Sequence, residues 1–239
     1  MAGKKREPEV LLRGGGEIPA YRLRRMPRKT IALSLGKDGA AEVRAPQWVP
    51  AREIDAFVAS RREWLAAQSA RLAESRARSE SFSVAPGGAL TLAGREIPVL
   101  EGGGPRLEGG RLFVPAAPFA SWRGALEAVL REEAARVIGG RVAFFAPRLG
   151  VAPASVHIGR SNSAWGVCSA KNALTFTWKL LFAPPEDIDY VVVHELAHIR
   201  EHNHSPRFWR VVESAVPDWR ARRASLRAVQ WKIRCEGWD

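Results

Sequence analysis

The stretch HELAHIREHNHSPRFW, from His194 to Trp209, holds four of the chain's five histidines within eleven residues. Its first five residues, His194 to His198, have the form H-E-x-x-H. On a helix, imidazoles at i and i+4 project from one face about 6 Å apart along the axis. That separation lets two ring nitrogens meet one zinc ion at about 2.0–2.1 Å each. Glu195, rotated about 100° from His194, reaches a water on the ion without ligating the ion.

Two histidines compete for the third ligand position. A straight helix would set His194, His198 and His202 in a row whose ends lie about 12 Å apart. An ion between them would face a nearly linear end pair, where zinc takes tetrahedral angles. His204 avoids this if the helix ends near Glu201 or His202 and the chain doubles back. Asn203 tolerates the left-handed backbone such an ending uses, and Ser205-Pro206 can open a second helix. The spacing H-E-x-x-H-x5-H equals that of metzincins, with Glu201 where their turn glycine stands. His204 is therefore the expected third ligand. Glu201 as a carboxylate ligand shares the geometric handicap of His202, which is left either beside the substrate or as a solvated residue at the helix end. Three protein ligands on one Zn2+ ion leave a place for water, the pattern of a catalytic site. With Glu195 as general base the chemistry is hydrolysis.

A helix must carry this motif, and its start is legible. Pro184 and Pro185 suit a first turn, where a missing N–H costs nothing. Glu186 and Asp187 put negative charge at the positive end of the helix dipole. Ile188, Val191, Val192, Glu195 and Ile199 recur at spacings of three or four and give the helix a face to bury. Upstream, ASVHIGR and NALTFTWKL read as strands around the turn-rich SNSAWGVCSAKN. A helix from about Pro118 places Phe119, Trp122, Leu126 and Leu130 on one face, and Gly139-Gly140, costing about 1 kcal/mol each relative to Ala, predicts a break.

The first half reads differently. Residues 1–17 are polar, basic and glycine-rich, the composition of a flexible tail. AYRLRRM, TIALSLG and AAEVRAP predict three strands of an antiparallel sheet. One long helix over VPAREIDAFVASRREWLAAQSARLAESRAR follows, then short strands to residue 115. No internal repeat is visible. The expected organisation is α+β: a tail over 1–17, a β-rich part with one long helix over 18–115, and a hydrolase domain over 116–239.

Composition narrows the class. Apolar residues at 46% suffice for a core, and no apolar run nears the roughly 18 residues of a membrane span. The basic start lacks the apolar stretch of a signal peptide. Two cysteines, Cys168 and Cys235, are too few for a disulfide framework, so a reducing cytoplasm is expected. The net charge of +12 is concentrated at the ends: residues 1–50 carry eleven basic and five acidic side chains, residues 205–239 eight and four. Such a field attracts nucleotides or nucleic acid, but no binding motif accompanies it, and a solvated arginine-rich surface is the plainer account.

The segment WGVCSAKNALTFTWKLLFAPPEDIDYVVVHELAHIREHNHSPRFW resembles the YgjP-like metal-dependent hydrolases, a zincin group related to SprT-like peptidases. The residues that carry the likeness are Trp165, Gly166, Cys168, His194 to His198, Asn203, His204, Ser205, Phe208 and Trp209. It extends to YRLRRMPRKTIALSLGKDGAAEVRAP and the helix after it. Val167 stands where the family usually has Ser, and Ala164 where an Arg is common. The resemblance implies a zincin-like α+β fold, His194, His198 and His204 as ligands, Glu195 as catalytic base and a polypeptide substrate. It also implies that an edge strand beside the metal pairs with the substrate. Asn172 to Trp178 is the candidate, with Asn172, Leu174, Phe176 and Trp178 as substrate-binding residues; the same strand also reads as core. Cys168 reads as a buried thiol before it reads as a ligand or nucleophile. Tyr190, one turn before His194, either packs or borders the site. A nucleotide (UTP-type) pyrophosphatase using Arg160, Arg200 and Arg207, and a basic nucleic-acid-associated module, are the alternatives.

Overall fold

Between residues 18 and 45 apolar and charged side chains alternate, and the alternation becomes a sheet. In the computed structural model, which describes residues 10–16, 18–36 and 38–238, four strands form: β1 (Val10–Gly15), β2 (Ile18–Arg25), β3 (Ala32–Leu35) and β4 (Ala41–Ala45). Tyr21, Leu23, Val43 and Ala45 point inward and are buried, while Arg24 and Arg44 face solvent. Two expectations need correction. The sheet has the order β1-β2-β4-β3 and is mixed, because β2 pairs with β4 in parallel. The segment between β2 and β3 carries the chain to the far side, so β4 returns into the gap beside β2. Residues 1–9 and 17 of the expected tail lie outside the described residues, but Val10–Gly15 is no tail. It pairs antiparallel with β2, whose edge would otherwise present unpaired N–H and C=O groups.

The single long helix expected after β4 is two, α1 (Ala51–Ala59) and α2 (Arg62–Ser81). Ser60 interrupts them: its hydroxyl donates to the Phe57 carbonyl at 2.8 Å, taking an acceptor the helix would use. Ile54 and Val58 of α1 pack on the sheet. Asp55 anchors it, accepting from the Tyr21 hydroxyl (2.6 Å) and Arg13 (3.0 Å). Burial, with that bond, pushes the Tyr21 hydroxyl up to about 12, so it keeps its proton.

The described residues divide at Ala77/Arg78, not at 115/116, and each unit has its own core. The second unit opens with β5 (Ala89–Leu92), β6 (Arg95–Glu101), β7 (Arg106–Glu108) and β8 (Arg111–Val114), followed by the helix α3 (Phe119–Arg148). Its order, β5-β6-β8-β7 with a parallel β6–β8 pair, repeats that of the first sheet strand for strand. The sequence shows no such repeat because the two copies share a pattern of pairing, not residues.

α3 runs unbroken through Gly139-Gly140 for 30 residues. Trp122, Leu126, Leu130, Ala134, Ile138, Val142 and Phe145 form one buried stripe along it. Burying a large apolar side chain contributes about 1.5–3 kcal/mol, which outweighs the two glycines. Against this core pack β9 (Ser155–Gly159), β10 (Gly166–Cys168), β11 (Ala173–Thr177) and a 3-10 turn at Trp178–Phe182. Three helices follow: α4 (Pro185–Arg200), α5 (Pro206–Ala215) and α6 (Trp219–Cys235). Among the described residues no helix is long and apolar enough to cross a membrane.

Candidate metal centre

α4 presents the H-E-x-x-H stretch, and it stops where it must for a third imidazole to return. The helix ends at Arg200; Glu201 leaves helical geometry at φ −137°, ψ 97°. The Glu201 carbonyl accepts a hydrogen bond from His198 Nδ1 at 3.2 Å. Since a carbonyl only accepts, the proton sits on Nδ1 and the Nε2 lone pair of His198 is free to bind a cation. Glu201 thus contributes its backbone, not its carboxylate. Ser205 then caps α5, its hydroxyl accepting from Phe208 N–H at 3.4 Å.

The return brings three ring nitrogens together. One ligand atom from each of His194, His198 and His204 lies within 4.8 Å of the others, the grouping among the described residues able to hold a metal ion. His194 Nε2 and His204 Nε2 stand 3.2 Å apart. Two nitrogens held at about 2.05 Å with a tetrahedral angle stand about 3.3 Å apart, so the pair fits a shared ion. Burial, with the neighbouring His198, His204 and Arg223 further opposing a proton there, pulls His194 down to about 3. Burial also lowers His198. Both rings are therefore neutral and able to donate lone pairs.

Aromatic rings fix these imidazoles. Phe208, fully buried, lies 4.9, 4.5 and 4.8 Å from the ring centres of His194, His198 and His204. Trp209 stacks on His204 at 5.7 Å and on Trp219 at 3.9 Å. The Phe-Trp pair thus packs directly against the imidazoles. His202 is exposed and outside the cluster.

Glu195 is buried on the same helix, and burial pushes its carboxyl up to about 7 against the opposing hydrogen bond from the Cys168 backbone. Its room is made by Gly166: a Cβ there would meet Glu195 Cγ at 2.6 Å. Val167 is half exposed and, by strand alternation, on the other face of β10 from Gly166. Burial and the Glu195 charge raise the Cys168 thiol, which therefore stays protonated.

The expected substrate strand needs correction. β11 is the middle strand of the order β10-β11-β9 and has no free edge. Leu174, Phe176 and Trp178 are buried in the core, the last in the 3-10 turn. Asn172, at φ 59°, forms the β10–β11 turn, a left-handed position Asn tolerates. The alternation that made this segment read as a strand is the same for a central strand as for an edge, so pairing partners alone decide. The edge facing Glu195 belongs to β10. Trp165 and Ser169 bond to β11, so by antiparallel alternation Gly166 and Cys168 turn their backbone groups to the free side.

A cleft of about 650 Å³ lies over the centre. One wall holds Gly166, His194, Glu195 and His204; Tyr190 borders it as well. α6 also lines the cleft, through Arg223, Leu226, Arg227 and Gln230. Sequence reasoning missed this helix, although Leu226, Val229 and Ile233 at spacings of three and four were its signal. Arg160, Arg200 and Arg207 do not line the cleft; Arg200 donates to the Leu149 carbonyl instead.

Two histidines and a buried glutamate on one helix, with a third histidine returning from the turn after it, define the class of metal-dependent hydrolases with an H-E-x-x-H motif. The chain belongs to the YgjP-like family, whose metallopeptidase domain matches residues 29–229. No curated protein matches it. Among solved structures it is similar to the metallopeptidase zymogen of Pyrococcus abyssi abylysin, with 23% identity and a TM-score of 0.33 over 37% of this chain and 93% of that one.

Proposed function

We propose that the chain is a zinc peptidase in which His194, His198 and His204 hold the ion and Glu195 is the general base. The observation that carries this reading is the meeting of three imidazole nitrogens beside one buried carboxylate. When bound, a divalent ion supplies Lewis-acid chemistry, polarising the scissile carbonyl and acidifying water. Glu195 accepts the proton of the attacking water and delivers it to the departing amine. A carboxyl near 7 before a cation is bound is poised for both transfers. The substrate lies extended along β10, where the backbone groups of Gly166 are open to pairing and Cys168 N–H holds Glu195 in place.

Metal exchange tests the reading. Chelation is expected to abolish cleavage of an unfolded polypeptide, and stoichiometric zinc to restore it. Cleavage that survives complete metal removal would sink the proposal. A second prediction concerns Gly166→Ala. The added methyl must displace Glu195, and an error of about 1 Å in a catalytic group costs on the order of 100-fold. The variant should therefore bind metal normally and lose about that much kcat/KM in a peptide assay.

A further inference from the structure

α6 carries six basic residues and no acidic one between Trp219 and Cys235. Three of these charges have carboxylate partners close by. Arg220 reaches Glu213 at 3.6 Å, Arg222 pairs with Asp218 at 2.5 Å, and Lys232 lies 3.8 Å from Glu236. Arg223 and Arg227 differ. Both are exposed, both line the cleft over the metal centre, and neither has a carboxylate partner among the described residues. Standing at i and i+4, they repel each other on the helix. With Gln230 at i+7 they form one stripe on the helix that lines the same cleft as Glu195, His194 and His204. Two unpaired guanidinium forks on one wall match an anion held by paired N–H donors.

Building on the peptidase reading, we propose that Arg223 and Arg227 form a subsite that binds a carboxylate of the polypeptide substrate, with Gln230 completing its polar edge. Apart from Gly166, Glu195 and the histidines of the metal centre, the rest of the lining, including Trp165, Val191, Leu226 and Trp209, is apolar or aromatic. That suits a peptide whose one anionic group is fixed while its remaining side chains pack. The carboxylate has two sources, an acidic side chain near the scissile bond or the chain's own C-terminus.

The test uses metal-loaded full-length protein and four peptides of one sequence. One has an internal Glu with an amidated end, one Gln with an amidated end, one Gln with a free C-terminal carboxylate, and one both anions. Charge-assisted bonds of this kind discriminate by about 10- to 100-fold, so one carboxylate peptide should exceed its amide counterpart by that factor in kcat/KM. Which one does so names the source. In the Arg223→Ala, Arg227→Ala double variant the ratio should fall to about one, and the double Lys variant should keep part of it. The same ratios are read as affinities by calorimetry on metal-loaded Glu195→Gln protein. A wild-type ratio near one, or one unchanged by the double Ala variant, overturns the subsite. So does Arg-dependent binding of a nucleoside triphosphate without carboxylate preference. If no peptide is cleaved but the carboxylate preference in binding persists and depends on the arginines, the subsite stands and the peptidase reading falls.

Discussion

Glu195→Gln is expected to keep its metal and lose its chemistry. The side chain is 6% exposed, and Gln has nearly the same shape, so packing against Gly166 survives. The amide oxygen can still accept from Cys168 N–H, so the side chain keeps its place. What disappears is the ability to take a proton and return it. A positioned base contributes about 10²–10⁴-fold, and the loss should fall on kcat with little change in KM, because the group acts on the proton in flight and not on the bound peptide. The measurement pairs peptide turnover with metal content by elemental analysis. Full metal content with undiminished kcat would remove Glu195 from its role.

The grouping of His194, His198 and His204 could be anticipated from sequence because its determinants are local. A helix period fixes the direction of His194 and His198, and Ser205-Pro206 marks a restart only a few residues away. The expected left-handed Asn203 is not what ends the helix: Glu201 turns extended, and Asn203 serves the turn through its side-chain oxygen, which accepts from Ser205 N–H at 3.1 Å. The third imidazole then has little choice of position. Where partners come from far along the chain, local pattern was not enough. Leu174 and Phe176 alternate as any strand would, but whether β11 is central or an edge depends on β9 and β10 lying beside it. Gly139 and Gly140 carry an intrinsic penalty, but the stripe from Trp122 to Phe145 buries enough to keep α3 whole. The parallel β2–β4 pair likewise rests on a segment carried across the sheet, which no turn residue announces. The cleft's arginines are the plainest case: Arg223 and Arg227 read as surface charge until α6 packs beside α4 and brings them to the cleft.

His204→Ala should have the largest effect on the metal itself, and comparison with His202→Ala isolates the cause. The two histidines are separated by one residue and both are exposed. Composition and accessibility do not distinguish them; geometry does. His204 Nε2 stands 3.2 Å from His194 Nε2, whereas His202 belongs to no such grouping. Loss of residues that merely orient a ligand already costs about 10–100-fold in metal affinity, so removing a ligand should cost more than about 100-fold. The ring's stacking against Trp209 disappears too, but Trp209 remains held by Trp219, so the fold should persist. His202→Ala should leave affinity unchanged and stability within about 0.5 kcal/mol, the usual range for an exposed residue. Competition with a chromophoric chelator reads both affinities, and thermal unfolding of the metal-free proteins reads the control. Equal losses in the two variants would mean that the third ligand had been assigned to the wrong histidine. A loss in His204→Ala alone would tie metal binding to the end of α4 at Arg200, since only a chain that turns there can return this ring to the other two.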